Sequence, residues 1–129
     1  MADVVLTQTL FQGDKKLITH YNNVSDSTGG TTTIVDVSGL SPAPSRVTLN
    51  KVWYSVSMTA KVDSIRLVWD ATTDATFLNL EGDGHLDYSS IGGLKNNEAS
   101  GVTGDVKLVF PACTSGDSAT VTCEWIKTY

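Results

Sequence analysis

The stretch ATVTCEWI, residues 119 to 126, decides the fold because its apolar side chains recur at every second position. Successive side chains of a β-strand point to opposite faces, so a period of two is typical of a strand with one buried face. The β-branched and aromatic residues of this stretch suit such a surface. The pattern therefore predicts a strand whose core-facing set is Ala119, Val121, Cys123 and Trp125.

The same alternation recurs along most of the chain, and no window carries a helical stripe. Clear examples are residues 51–60, 65–70 and 106–110; weaker ones are Val4–Leu10, Lys16–Asn22, Thr32–Val37, Thr76–Leu80 and His85–Tyr88. Eight or nine short strands in 129 residues predict an all-β chain, a single-domain antiparallel β-sandwich of jelly-roll-like form over residues 1–129. Residues 1–44 are more polar and could form a loosely packed arm or the first hairpins; we adopt the hairpins.

The charge balance argues against a nucleic-acid partner. Nine basic and fourteen acidic side chains give a net charge of −5, without the basic patch that neutralises phosphates. No apolar run reaches the length of a membrane span, and the first sixteen residues show no secretory signal. We therefore expect no membrane partner and folding in the cytoplasm.

One small group of side chains suggests metal chemistry. Asp83, His85 and Asp87 would share one face of a strand beginning at His85, which could form a weak metal site. An alternating solvated edge explains the spacing equally well and is the interpretation we prefer.

The remaining sequence carries no recognisable catalytic pattern. Four further acids show no pairing signal and are expected to form turns or protect edges: Asp70, Asp74, Glu81 and Asp105. The glycine run lacks the Lys-Ser/Thr of a phosphate loop, and no nucleophile motif occurs. The sequence predicts no catalytic residue, no cofactor and no metal.

Two cysteines lie ten positions apart, which is not the spacing of a zinc knuckle or a redox pair. Ser115-Gly116-Asp117 predicts a turn that would place Cys113 and Cys123 on adjoining strands, though not directly opposite. Two small buried thiols are favoured over a disulfide in a reducing compartment.

Adjacent aromatic residues indicate a binding surface. Trp53 and Tyr54 differ in parity, so one of them should face away from the core. An outward aromatic ring can stack on a sugar or cover a subunit interface. We favour the interface.

The glycine-rich segment of residues 92–108 is expected to shape the chain rather than bind a ligand. Its glycines and asparagines tolerate a positive φ, and its acids lack the dense oxygen ligands of a calcium loop. We expect the segment to set strands in register, and its tip is a candidate interface formed by Asn96, Asn97 and Glu98.

Four segments together resemble small virion structural proteins of tailed phages, especially those of marine cyanophages. The segments are VWYSVSMTAKVDSIRLVWDATTDATFLNL, HLDYSSIGGLKNN, EASGVTGDVKLVF and TSGDSATVTCEWIK, and the resemblance covers roughly residues 47 to 127. The shared elements are an aromatic strand, a strand ending in Trp-Asp, an LDYS-like segment, two glycine turns and a final hairpin with SGD.

The resemblance implies a non-enzymatic capsid decoration (cement) protein that binds the outer capsid surface and stabilises the head. The implied partners are the major capsid protein or other virion proteins, together with further copies of the chain in a homo-oligomer, for which a trimer is one candidate. The implied location is the virion, assembled in the host cytoplasm. The alternative is a receptor- or glycan-binding module of a phage tail or fibre.

Overall fold

The computed structural model describes residues 4–40, 42–60, 64–71, 73–95 and 103–128. Within these ranges the chain forms nine β-strands and two 3₁₀ turns, the turns at Val37–Gly39 and Ser89–Ile91. The strands are β1 (Val4–Gln12), β2 (Lys16–Val24), β3 (Gly30–Val35), β4 (Arg46–Ser57), β5 (Ile65–Trp69), β6 (Ala75–Leu80), β7 (Gly82–Asp87), β8 (Val106–Phe110) and β9 (Ser118–Thr128). Every strand that the sequence predicted is present.

The strands form two antiparallel sheets packed face to face. Sheet A has the order β1-β2-β9-β4-β7 and sheet B the order β3-β8-β5-β6. The eight strands β2 to β9 pass between the sheets in the interleaved order of two Greek keys, which is the jelly-roll arrangement. The predicted all-β, jelly-roll-like antiparallel sandwich is confirmed. Strand β1 is a ninth strand, added to sheet A beside β2.

Strand β9 forms the centre of sheet A and the main wall of the core. It pairs with β2 on one side and with β4 on the other. Its predicted inward set, from Ala119 to Trp125 at alternate positions, is at most 1% exposed. The indole Nε1 of Trp125 donates a hydrogen bond of 2.9 Å to Thr19 Oγ1 on β2, so its polar group is satisfied inside the core.

Sheet B contributes the facing wall. The side chains predicted to face inward from β5 and β8 are all buried: Ile65, Leu67, Trp69, Val106, Leu108 and Phe110. Val35 of β3 and Leu80 of β6 join them, and Val68, which the alternation placed outward, is also buried. The ring of Trp69 stacks on Phe77 of β6, with 3.7 Å between ring centroids. This aromatic pair closes the β5–β6 edge of the core.

The strand predicted over residues 51–60 is displaced towards the N-terminus. Strand β4 runs from Arg46 to Ser57, where Ser57 pairs with Ser118 at the start of β9. Beyond that point Thr59 bonds Asp117 instead of a strand: its N–H reaches Oδ2 at 3.1 Å and its hydroxyl reaches Oδ1 at 2.8 Å. The ladder stops because its partner strand stops.

The turn predicted over Glu81–Gly84 is also wrong in extent. Strand β6 of sheet B ends at Leu80 and β7 of sheet A begins at Gly82, so the chain changes sheet within one residue. Gly84 is a strand residue opposite Tyr54, and a Cβ there would lie 2.7 Å from the Tyr54 hydroxyl. This glycine is required for close packing rather than for a turn.

Thr19→Val should reduce the free energy of unfolding by about 1–3 kcal/mol, because the Trp125 indole N–H would remain buried without its acceptor. Thr19→Ser keeps a hydroxyl and should lose less. Urea denaturation of both variants measures the difference. In a Trp125→Phe background the Thr19→Val penalty should shrink, and an unchanged penalty would show that the hydrogen bond is not its source.

Candidate functional site

The first candidate site is an aromatic surface on the outer face of sheet A. Trp53 of β4 and His85 of β7 are opposed in register, and their rings stack with centroids 5.2 Å apart and an interplanar angle of 14°. Trp53 remains 41% exposed although it is the largest side chain type in the protein. A flat aromatic face is therefore presented to the outside.

Hydroxyl groups surround this aromatic pair. Trp53 lies opposite Thr122 of β9, and the adjacent Ser55 donates a hydrogen bond of 2.8 Å to Asp83 Oδ1. A shallow hollow of about 240 Å³ lies beside the ring, lined also by Thr120. We call Trp53, His85, Ser55, Thr120 and Thr122 the Trp53 surface.

The parity prediction for the aromatic pair is confirmed. Trp53 faces outward, whereas Tyr54 is half-buried and packs against the core. Of the candidate interface residues, only Trp53 therefore presents an exposed ring. Asn96, Asn97 and Glu98 lie outside the described residues, and an interface role for Trp53 stays a prediction.

The second candidate site is an apolar surface on the β1–β2 hairpin, which the sequence did not single out. Of the seven large hydrophobic side chains that the described part of the chain leaves exposed, five lie here. We call this group the hairpin surface; it consists of Val5, Leu6, Leu10, Phe11 and Val24. The exposed fraction reaches 55% at Leu10 and 51% at Phe11.

The position of β1 explains this exposure. Val5 and Leu6 are neighbours of opposite parity and both are exposed, so neither face of the strand is covered. An open groove of about 230 Å³, lined by Thr9, Thr19 and Thr33, lies between the hairpin and β3. Sheet B therefore covers the inner face of β2 and leaves β1 unpacked.

A further hollow adjoins the turn of the hairpin. It has a volume of about 640 Å³, opens widely to the outside and is mostly apolar. Phe11 and Ile18, which are opposed in register, form its apolar wall, and Lys15 and Lys16 lie at its rim. The hollow extends the hairpin surface and has the character of a protein-binding patch.

Three acids that gave no pairing signal lie together at one end of sheet B, and two of them contact the same lysine. Lys107 Nζ lies 3.0 Å from Asp70 Oδ1 and 3.2 Å from Asp74 Oδ2, at the end of sheet B. Asp105 joins the same end, where its Oδ1 accepts a hydrogen bond of 2.9 Å from the Val37 N–H. These groups fasten the return of the chain into β8 rather than face a cavity.

The environment of these acids shifts their pKa values in opposite directions. The Thr103 hydroxyl, 2.7 Å from Asp70 Oδ2, and then Lys107 hold the pKa of Asp70 below its ordinary value. Burial raises the pKa of Asp105, and the nearby Asp36 and Asp70 add to this shift, although the Val37 N–H opposes it.

Asp83, His85 and Asp87, which were considered as a weak metal site, each make a different contact instead. All three side chains lie on the exposed face of β7, as the period of two predicted. Asp83 bonds Ser55, His85 stacks on Trp53, and Asp87 Oδ1 accepts a hydrogen bond of 2.9 Å from the Ser89 N–H. No group of three or more His, Cys, Asp and Glu residues in the described ranges is arranged to hold a metal.

Both cysteines are free thiols. Cys123 is buried in β9, and burial raises its pKa. Cys113 was predicted to lie on a strand, and this prediction is wrong. It is half-buried in the loop after β8, with its Sγ 3.4 Å from Ser25 Oγ. Strand β8 ends at Phe110 because Pro111, which follows it, has no N–H to donate to a ladder. The loop beyond is fixed against the end of β2, where the Ser25 N–H donates a hydrogen bond of 2.8 Å to the Asp117 carbonyl.

The geometry defines a class of fold: an antiparallel jelly-roll-like β-sandwich with one added edge strand. No model of a known protein family matches the chain, and no curated protein does. Among solved structures, the chain is similar to a cupin superfamily protein from Desulfitobacterium hafniense, with 10% identity, a TM-score of 0.40, and coverage of 100% of this chain and 82% of that one. Likeness at this level carries no argument about activity.

In the described ranges, no helix combines the length and apolar character needed to cross a membrane.

Asp70→Asn should lower the free energy of unfolding at pH 7 by about 0.2–1 kcal/mol, the usual range of a solvent-screened pair. The pKa of Asp70 is lower in the folded state than its unfolded-state pKa near 3.9. The ionised Asp70 therefore stabilises the fold fully above the unfolded-state pKa, and this stabilisation is lost as the pH falls through the folded-state pKa. Urea denaturation between pH 2.5 and about pH 7 should show wild type and variant converging in acid.

Asp105→Asn is the matched control, since the amide oxygen can still accept the Val37 N–H. The folded-state pKa of Asp105 is raised, so removing its charge should leave stability at pH 7 unchanged or increased. Equal losses for the two variants at every pH would contradict the electrostatic interpretation.

Proposed function

We propose that the chain is a non-enzymatic virion structural protein of a tailed phage, most specifically a capsid decoration protein that binds the outer capsid surface and stabilises the head. The observation that carries this proposal is the hairpin surface. It places most of the exposed large hydrophobic side chains of the described chain on one projecting hairpin. The resemblance of residues 47–127 to virion proteins of tailed phages supports a phage head as the particle to which this surface binds.

The hairpin surface has the properties of a contact that is covered after assembly. Burying one side chain such as Phe or Leu contributes about 1.5–3 kcal/mol, so several such side chains together can supply a strong association. Several large apolar side chains exposed together on one element are typical of a site that binds another protein. The mostly apolar hollow between Phe11 and Ile18 offers a recess for a side chain of the shell.

The rest of the surface fits the same role. A net charge of −5 favours solubility before assembly and a partner with a complementary basic surface. The outward acids of β7, Asp83 and Asp87, lie on the opposite edge of sheet A from the hairpin surface. The two edges of sheet A therefore differ sharply in polarity.

Phe11→Asp should weaken binding to expanded empty capsids of the phage that encodes the chain by about tenfold or more, because a carboxylate would replace the largest side chain of the hairpin surface. Co-sedimentation of purified protein with the capsids measures the affinity. Ile91→Asp is the matched control: Ile91 is 68% exposed and lies away from the hairpin, so this variant should bind like wild type. Wild-type protein that does not bind these capsids would defeat the proposal.

A second candidate function is favoured by the Trp53 surface. A tryptophan that stacks on His85 and is bordered by Ser55, Thr120 and Thr122 offers both an apolar face and hydroxyl partners for a sugar ring. In this alternative the chain is a receptor- or glycan-binding module of a tail or fibre.

A glycan array separates the two functions. If the Trp53 surface binds a sugar, wild type should give a defined signal that Trp53→Ala reduces by about tenfold through loss of stacking. Phe11→Asp should leave that signal unchanged. A blank array together with strong capsid binding eliminates the glycan function.

A further inference from the structure

The free edge of β1 is uncharged over its whole length. Its sequence, VVLTQTLFQ, contains no ionisable residue, proline or glycine. At about 3.4 Å per residue, nine residues offer an edge of roughly 30 Å, and no strand of the described residues pairs with its outer side. A long, apolar, uncharged edge strand is a template for another strand.

The opposite edge of sheet A lacks this character. Strand β7 has six residues, two of which are aspartates, and two of which are glycines. Charges and glycines on an edge strand hinder pairing with another chain. Strand addition to sheet A is therefore directed to β1.

The five central residues of β1 read the same in both directions around Gln8, since residues 6 to 10 are Leu-Thr-Gln-Thr-Leu. In an antiparallel pairing of two β1 strands centred on Gln8, residue n of one copy lies opposite residue 16 − n of the other. Leu6 then faces Leu10, and Thr7 faces Thr9.

We infer that β1 pairs antiparallel with β1 of a second copy of this chain, about a two-fold axis at Gln8, and joins the two A sheets into one continuous sheet. The inference rests on the proposed assembly role of the hairpin surface and names the partner of its strand edge. Any strand that pairs antiparallel with its own copy makes each of its contacts twice. In this register the central sequence of β1 makes those contacts matched pairs, Leu6 with Leu10 and Thr7 with Thr9, and matched cross-strand pairs stabilise an antiparallel ladder. These pairs favour a second β1 as the occupant of the edge.

This pairing is closed, because each copy contributes one β1 edge and the two edges cover each other. It therefore gives a dimer and does not propagate into a fibre. The register shift between Thr9 and Phe11 marks a β-bulge, which adds twist and limits the regular ladder to the segment around Gln8. The hollow beside Phe11 and Ile18 lies on a face of the hairpin and stays available to the shell.

Charge variants at Leu6 and Leu10 test the register. The isolated wild-type protein should sediment as a dimer. The double variant Leu6→Lys, Leu10→Lys would place like charges opposite each other twice and should raise the dimer dissociation constant about tenfold or more. The double variant Leu6→Lys, Leu10→Glu would form two opposite-charge pairs and should restore the dimer. Leu6 and Leu10 are exposed in a single copy, so their replacement should not destabilise the monomer. At concentrations where wild type and variants are all monomeric, their thermal unfolding temperatures should therefore be alike.

A cysteine scan gives an independent reading of the axis. In a Cys113→Ser background, Gln8→Cys places two thiols opposite each other and should form an intermolecular disulfide under mild oxidation. Gln12→Cys is the control: its two copies would lie eight positions apart, roughly 27 Å, and should not cross-link.

The outcomes separate this inference from the proposed function. A monomer at high micromolar concentration, without the Gln8→Cys cross-link, overturns the inference even if the protein binds capsids, since β1 would then serve the shell alone. A dimer that survives the Lys-Lys variant overturns it as well, because the contact lies elsewhere. A dimer that follows the charge pattern supports it even if capsid binding fails.

Discussion

The structure depends on the burial of one face of β9 between the two sheets. This strand pairs with β2 and β4 at once, and its inward side chains form the floor of the core. A slip of one residue in either ladder would turn that face to solvent, so burial fixes both registers together. The bond from the Trp125 indole to Thr19 adds a directional constraint, because only one alignment of β2 and β9 satisfies it.

Most of this core was readable from the sequence, since a period of two reports which face a side chain takes. It does not report which strand lies beside it. The ends of β4 are set by its neighbours: Ser57 is the last residue with a partner in β9, and the alternation beyond it has no ladder to join. Similarly, Asp70 and Lys107 are 37 positions apart and meet only because β5 and β8 are paired.

The two candidate sites also differ in whether the sequence could predict them. Opposite parity within one strand is local, so the outward position of Trp53 was predictable from the sequence. The hairpin surface was not, because Leu6 and Phe11 resemble the apolar positions of any half-buried strand. Whether such a residue is buried depends on an opposing sheet, and sheet B ends at β3 without covering β1. The absence of charge along β1 was the available signal, and its meaning emerges only when the strand is known to be an edge.

Strand β1 contributes little to the core of one copy. The eight strands of the jelly roll already bury the core, and none of the fully buried side chains comes from the described residues of β1. Its apolar side chains therefore add little to the stability of one copy and retain their hydrophobic free energy for a contact with another surface. This division fits the proposed assembly role, because changes in the hairpin surface leave the core intact.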